Sequence, residues 1–148
     1  MWRVSRRAVA FCHDGAMTIP EIPADFADLL EIPVATLATV GPSGYPQASA
    51  VWFLYEDGRI KTSIHESRQK FRNAVRTGKA TWLFVDPANP YRTLEIRGDV
   101  SVEEDYPALD FMRRQFVKYG TTPEEFQGEK DEGRKVLVVT PVRVRTWG

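Results

Sequence analysis

The sequence has a single cysteine, two histidines and no long apolar run, and each scarcity excludes a class of protein. Cys12 cannot form an internal disulfide, so the usual signature of a small secreted domain is missing. No stretch approaches the ~20 apolar residues that span a bilayer. The first residues are basic but lack the apolar run of a signal peptide, so we expect that they do not direct export. We therefore predict a cytoplasmic protein without a membrane partner.

The sequence also lacks a charge imbalance and the common catalytic motifs. Twenty basic residues balance twenty acidic ones, so no overall field favours nucleic acid, and we predict no nucleic-acid partner. Cys12, His13 and His65 do not have the spacing of a zinc site, and we predict no metal. The glycine-rich fingerprints of dinucleotide and nucleotide-phosphate sites are absent, as is the nucleophile elbow of hydrolases.

At 148 residues the chain fits one domain with a sizeable core. Residues 1–16 match neither a strand nor a helix, and we predict a disordered tail there, followed by a single domain over residues 17–148. The patterns predict six strands, in segments 34–40, 46–55, 59–64, 80–86, 92–105 and 135–148. They also predict helices at 23–31, 66–77 and 106–120, and another helical turn at 121–126.

Most neighbouring strands are joined by connections too short for a parallel crossover, so the sheet should be mainly antiparallel. A mainly β domain with a few helices (α+β), built as one closed or half-closed β-barrel, fits this order better than a doubly wound sheet. Gly98 predicts a bulge or a close approach of backbone or ligand, and Pro141 predicts a break or bend in the last strand.

Residues 62–73, TSIHESRQKFRN, place a strand end, a helix start and several cations together. Thr62 and Ser63 bring hydroxyls, and the helix N-terminus brings free N–H groups and favours negative charge. The guanidinium of Arg68 can donate two hydrogen bonds to phosphate oxygens in a bidentate contact, while the ammonium of Lys70 acts as a compact point charge. The pattern is compatible with a phosphate site and, equally, with an ordinary basic helix surface.

Three other polar residues of this region are assigned to the surface. Arg72 and Arg76 lie one turn apart on the outward face of the predicted helix, and solvated charge explains both. His65 is predicted to be a surface residue rather than a ligand.

The strand predicted at 46–55 has one face that begins polar and becomes apolar. Gln47, Ser49 and Val51 share that face by the two-residue period, and they could hydrogen-bond the edge of a flat heterocycle and pack its ring. An ordinary barrel strand with a polar mouth would show the same pattern. Trp52 is predicted in the core or in a dimer interface rather than in contact with a cofactor.

Three blocks resemble the pyridoxamine 5'-phosphate oxidase-like split β-barrel family: LATVGPSGYPQASAVWF, IKTSIHESRQKFRNAVRTGKATWLFVD and LEIRGDVSV. The likeness runs from about residue 25 to the end and is strongest to the short actinobacterial branch that uses a flavin or deazaflavin. The family's block beside the cofactor ring corresponds to Gly44, Pro46, Gln47, Ser49 and Trp52. Its block at the cofactor phosphate corresponds to Ser63, Arg68, Lys70 and Asn73.

The resemblance implies a six-stranded antiparallel split β-barrel like that of FMN-binding proteins, and a homodimer with cofactors at the subunit interface. It implies an oxidoreductase that transfers hydride between coenzyme F420 or FMN and a small planar substrate, and it favours the deazaflavin. Arg3, Arg6 and Arg7 are candidates for binding the deazaflavin's acidic tail.

The resemblance does not extend to vitamin B6 oxidation, because we do not find the C-terminal basic and histidine residues of those enzymes. A non-catalytic carrier or sensor of flavin or haem is the alternative, and a plain interaction domain is another. The cofactor would carry the redox chemistry, and no catalytic residue is identified from the sequence.

Overall fold

The computed structural model describes residues 18–122 and 131–148. The tail predicted at residues 1–16 and most of the helical turn predicted at 121–126 lie outside the described residues. The described chain opens with a 3-10 helix, Ala24–Glu31, which follows Pro23 and buries Phe26, Leu29 and Leu30. This helix confirms the one predicted at 23–31.

Seven strands and two α-helices follow within the described residues. The strands are β1 (Ala35–Val40), β2 (Pro46–Val51), β3 (Leu54–Glu56), β4 (Arg59–His65), β5 (Lys79–Val85), β6 (Thr93–Glu104) and β7 (Arg134–Trp147). The helices are α1 (Gln69–Thr77) and α2 (Asp110–Lys118), and a 3-10 turn at Asp131–Gly133 leads into β7. All strand pairs are antiparallel, in one sheet of order β2-β1-β5-β6-β7-β4-β3. The predicted fold class is confirmed, with an unclosed sheet.

The sheet has seven strands where the sequence predicts six, because the segment 46–55 breaks at Trp52 and Phe53. Its first half pairs with β1 and its second half with β4, at opposite edges of the sheet. At the break the Phe53 N–H donates to Tyr119 Oη at 3.1 Å, and Lys118 Nζ donates to the Phe53 carbonyl at 3.1 Å. The end of α2 therefore satisfies backbone groups that a continuous strand would have paired with a neighbour.

The sheet curves around an apolar core. Phe53, Trp82 and Phe84 are fully buried at its centre, with ring centroids 5.0–6.2 Å apart. The 3-10 helix and Phe71 of α1 complete this cluster. On the other face of β4 and β7, Phe111 of α2 packs against Val136 and Val138 in a smaller cluster.

Gly98 marks the bend of the long β6–β7 hairpin. The pairing register shifts between Arg97 and Gly98, so that Arg97 faces Arg143 while Gly98 faces Pro141. A Cβ at Gly98 would lie 2.3 Å from the carbonyl oxygen of Thr140, a distance that no side chain tolerates. The predicted bulge and close backbone approach are both confirmed.

The two helices end and pack as their patterns indicate. Gly78 ends α1 with φ 69°, and its N–H donates to the Ala74 carbonyl at 2.8 Å. The α2 stripe of Leu109, Met112 and Phe116 forms a cluster with Trp52. Among the described residues, none of the helices has the length and apolarity needed for a membrane span.

Candidate functional site

The turn between β4 and α1 is closely hydrogen-bonded. The N–H groups of Ser67 and Arg68 donate to Nδ1 and the carbonyl oxygen of His65, at 3.1 and 3.0 Å. Arg68 occupies the N-cap position of α1 without a side-chain capping bond. The first-turn amides, Gln69–Phe71, are those that a helix leaves outside its own bonding pattern, and they are available to an anion at this end.

The Ser63 amide at the end of β4 is not free. The Ser63 N–H donates to Gln115 Oε1 of α2 at 3.0 Å, within a buried contact. The amide donors of the site are therefore those of the α1 start, six to eight residues further along the chain.

A cavity of about 680 Å³ opens beside this turn. It is bounded by β2, β4, the start of α1, α2 and the first residue of β7. The lining residues are Gln47, Ala50, Val51, Trp52, Thr62, Ser63, Ile64, His65, Arg68, Gln69, Lys70, Met112, Gln115, Phe116 and Arg134. Six of the eight predicted cofactor-binding residues are among them: Gln47, Val51, Thr62, Ser63, Arg68 and Lys70.

The other two predicted residues, Ser49 and Asn73, do not line the cavity. Asn73 is 1% exposed, and its Nδ2 donates to Gln47 Oε1 at 3.1 Å. Its Oδ1 accepts from Gln69 Nε2 at 2.7 Å. Asn73 therefore positions the lining side chains of Gln47 and Gln69 without lining the cavity itself. Ser49 is half-buried on β2, and its Oγ has no hydrogen-bond partner among the described residues.

The lining is electropositive. Arg68, Lys70 and Arg134 all face the cavity, and none of the described lining residues is acidic. Burial, and next the charge of Arg68, lower the pKa of the Lys70 ammonium. Two cations close enough to repel each other in a partly buried site are stabilised by an anion placed between them.

Another part of the lining is apolar and aromatic, formed by Val51, Trp52, Met112 and Phe116. Trp52 stacks on Tyr119 with centroids 4.0 Å apart and meets the Phe116 ring edge-on at 5.8 Å. Trp52 thus packs against α2, as predicted for a core residue, and it also lines the cavity.

Several lining residues were not identified from the sequence. Gln115, Phe116 and Arg134 come from α2 and β7, about fifty residues or more beyond β4. The apolar periodicity that predicts a helix at 106–120 places Met112 and Phe116 on one face, but no local signal distinguishes a core face from a cavity wall. The surface prediction for His65 is wrong, since this residue is half-buried, lies with Nδ1 2.7 Å from Ser67 Oγ, and lines the cavity.

Arg72 and Arg76 are exposed on α1, as predicted, and neither lines the cavity. Arg72 donates to the Ser67 carbonyl at 2.8 Å and to Gln69 Oε1 at 2.9 Å. Arg76 donates to the Val40 carbonyl at 2.5 Å. Arg76 therefore supplies a natural control for substitutions inside the cavity.

A comparison with protein families matches residues 22–148 to the family described as pyridoxamine 5'-phosphate oxidase. The chain belongs to this family. A solved structure named F420 reductase is 32% identical to this family member with a TM-score of 0.75, covering 84% of this chain and 98% of the other. No significant match was found among curated proteins.

Two more solved structures share the fold of this pyridoxamine 5'-phosphate oxidase family member. The conserved hypothetical protein Rv2991 of Mycobacterium tuberculosis is 26% identical with a TM-score of 0.69, covering 87% of this chain and 86% of the other. General Stress Protein 26 of Bacillus anthracis is 15% identical with a TM-score of 0.64, covering 82% of this chain and 90% of the other. The second likeness concerns the fold alone.

The cavity of this family member fits a flat cofactor with an anionic tail. Ser63 is 8% exposed, and its Oγ has no hydrogen-bond partner among the described residues, so a ligand would satisfy it. The lining combines cations and the amides of a helix start with aromatic side chains. Within residues 18–122 and 131–148, no three His, Cys, Asp or Glu side chains form a group that could hold a metal.

Proposed function

We propose that this protein is an oxidoreductase that binds a flavin or deazaflavin and transfers hydride between the cofactor ring and a small planar substrate. One observation carries the proposal. Arg68 and Lys70 lie together at the start of α1 in a cavity that continues to an apolar wall at Trp52 and Phe116. A phosphate-bearing tail suits the first end, and a flat ring suits the second.

The chain's own residues would bind and orient the cofactor. Arg68, Lys70 and the first amides of α1 would hold the phosphate. Thr62, Ser63 and Gln47 would supply polar contacts along the ring and its linker, and Val51 would pack against the ring. The cofactor supplies the hydride chemistry, which accounts for a lining without a paired general acid and base.

The deazaflavin coenzyme F420 is the cofactor that we favour over FMN. The support is the structure named F420 reductase, which this chain covers almost completely at 32% identity. Both cofactors have a ring, a ribityl chain and a phosphate, so the contacts proposed for Arg68 and Lys70 serve either.

We also propose a homodimer that completes the cavity. The support is family membership and the openness of the cavity along the edge strand β2, where Ala48 and Ala50 are exposed. A second subunit over this edge would shield a bound ring from water. The substrate would then enter between subunits, beside the exposed face of the ring.

Lys70→Ala tests the phosphate contact. The substitution removes one charge-assisted hydrogen bond, a class worth roughly 1.5–3 kcal/mol, so the Kd for the cofactor should rise about tenfold or more. Titration of the protein with FMN and, separately, with the deazaflavin, followed by ring fluorescence, measures this change.

Arg76→Ala is the matched control, because it removes a cation from the same helix outside the cavity. Its Kd should stay within about twofold of the parent value. Equal titration curves for Lys70→Ala and the parent would contradict the phosphate assignment. Tight binding without turnover of any planar acceptor would instead support the carrier or sensor.

A further inference from the structure

Gln115 bridges α2 and β4 at the cavity. Its side chain is 5% exposed and lines the cavity. Strand β3 pairs with β4 only along Arg59–Lys61, so beyond Lys61 none of the described strands lies beside β4 on that side. Gln115 Oε1 occupies the first position of this open edge by accepting the Ser63 N–H at 3.0 Å.

This bond fixes which end of the Gln115 amide faces the cavity. The two ends of a glutamine amide look alike by shape and are assigned from their partners. An N–H group can only face the oxygen, so Ser63 determines the orientation. Nε2, which has two N–H donors, is then the atom left over, and it has no hydrogen-bond partner among the described residues.

Part of the cavity lining next to Gln115 on α2 is apolar. Met112 and Phe116 flank it on α2, and Trp52 lies against Phe116. The nearby Ser63 Oγ also has no hydrogen-bond partner among the described residues. An amide donor held in an apolar wall discriminates strongly between ligands, because an unmatched buried donor costs free energy that water would otherwise recover.

We propose that Gln115 recognises the ring in the cavity, with Nε2 donating to an acceptor atom, a carbonyl oxygen or ring nitrogen, on the ring's edge. This rests on the proposed function and adds a determinant to it from a helix that none of the sequence motifs includes. Ligands with a donor at that edge would be rejected, since two N–H groups would then face each other. Arg68 and Lys70 bind the charged tail of the cofactor, and Gln115 hydrogen-bonds the edge of its ring.

Two substitutions separate recognition from structure. Gln115→Glu keeps an oxygen for the Ser63 amide but replaces the donor with an acceptor. Gln115→Met is close in volume and removes the donor without adding a charge. Val117→Glu is the control, because Val117 is 78% exposed on the same helix and the change adds the same charge outside the cavity lining.

The measurement is the Kd for whichever of FMN and the deazaflavin binds the parent, with thermal melting to confirm folding. Both Gln115 variants should bind about tenfold more weakly or worse, and Val117→Glu should remain within about twofold. The difference in Kd between Gln115→Glu and the parent should decrease as the pH falls, because a protonated carboxyl can donate a hydrogen bond again.

The outcomes distinguish this inference from the proposed function. A parent that binds neither cofactor would refute the proposed function itself. A parent that binds, with Gln115→Met and Gln115→Glu equal to it, would overturn only the role of Gln115. If Gln115→Met does not fold, Gln115→Glu still decides the question, because it retains the bond to Ser63.

Discussion

Single residues impose steric requirements on this fold, and Gly98 has the strictest. A Cβ there would lie 2.3 Å from the Thr140 carbonyl oxygen and 2.7 Å from Val139 Cγ1. The nearer atom belongs to the backbone of the neighbouring strand, so relief requires the hairpin to move. Gly98→Ala should therefore destabilise the protein by about 3 kcal/mol or more, at the upper end of overpacking effects.

Denaturant unfolding of Gly98→Ala against the parent measures this loss. Gly41→Ala is the matched control, because its nearest neighbour would be 3.6 Å away, an ordinary contact. Its free energy of unfolding should change by less than about 1 kcal/mol. Equal midpoints for the two variants would show that the β6–β7 bend tolerates a side chain.

At the residue scale, the sequence predicted local chemistry and failed at long-range contacts. Arg68 and Lys70 follow from a strand end, a helix start and charge within ten residues, and the structure brings both to the cavity. The resemblance groups Asn73 with them, yet the three hydrogen bonds of its side chain run to Gln69, Gln47 and Thr39 and place it behind the lining. Gln115 has no motif, and its position depends on where α2 packs.

Among the elements, the opening 3-10 helix is held to the β5–β6 loop by one arginine. Arg92 donates to the Asp28 carboxylate at 2.6 and 2.9 Å and to Asp86 at 2.9 Å. It also donates to the Asp25 carbonyl and lies 5.0 Å from the centre of the Phe26 ring. This network and the burial of Phe26, Leu29 and Leu30, rather than helix propensity, account for a helix of eight residues.

Arg92→Ala should lower the thermal midpoint in a pH-dependent way. The hydrogen bond from Arg92 depresses the pKa of Asp28, and the Ala88 amide, then Arg92, depress that of Asp86. A carboxyl whose pKa is lower in the folded than in the unfolded protein stabilises the fold. This stabilisation is fully present above the pKa of the unfolded state, about 3.9, and is lost as the pH falls through the pKa of the folded state. The difference in thermal midpoint between parent and variant should be largest near neutral pH and should decrease below about pH 4.

Thermal melts of both proteins from neutral to acid pH check this dependence. Arg97→Ala is the control, because Arg97 pairs with Glu95 at 2.8 Å on the exposed side of β6. It should lower the midpoint much less. If the difference in thermal midpoint between the parent and Arg92→Ala stays constant down to pH 3, the carboxylates of Asp28 and Asp86 do not account for the stabilisation by Arg92.

The elements themselves were largely predictable from periodicity, with one instructive exception. Trp52 and Phe53 are both good strand formers, so the segment 46–55 looks continuous. The chain changes partners there because Lys118 and Tyr119 bind the Phe53 backbone. Such a change is decided by tertiary contacts, which the strand pattern does not contain. The same break leaves β4 with the open edge that borders the cavity.

At the scale of the whole molecule, a second concave face of the sheet exposes two valine side chains beside charged residues. Val40 and Val142 are 43% and 53% exposed, and they line a second cavity of about 700 Å³ with Ala38 and Thr81. Thr39, which also borders this cavity, is connected through Asn73 to Gln47 of the first cavity. A subunit seated on this face would lie close to the proposed cofactor site.

The homodimer proposed over the edge strand β2 would extend onto this face if the second subunit also covers Val40 and Val142, and a substitution at Val142 tests that extension. Val142→Glu would bury an unpaired carboxylate twice in a symmetric interface, so the dissociation constant of the dimer should rise about hundredfold or more. Sedimentation at micromolar concentration should show a dimer for the parent and mostly monomer for the variant. Val117→Glu, which adds the same charge on α2, should stay dimeric. A parent that is monomeric throughout would refute the dimer, while a dimeric Val142→Glu would confine the interface to the edge formed by β2.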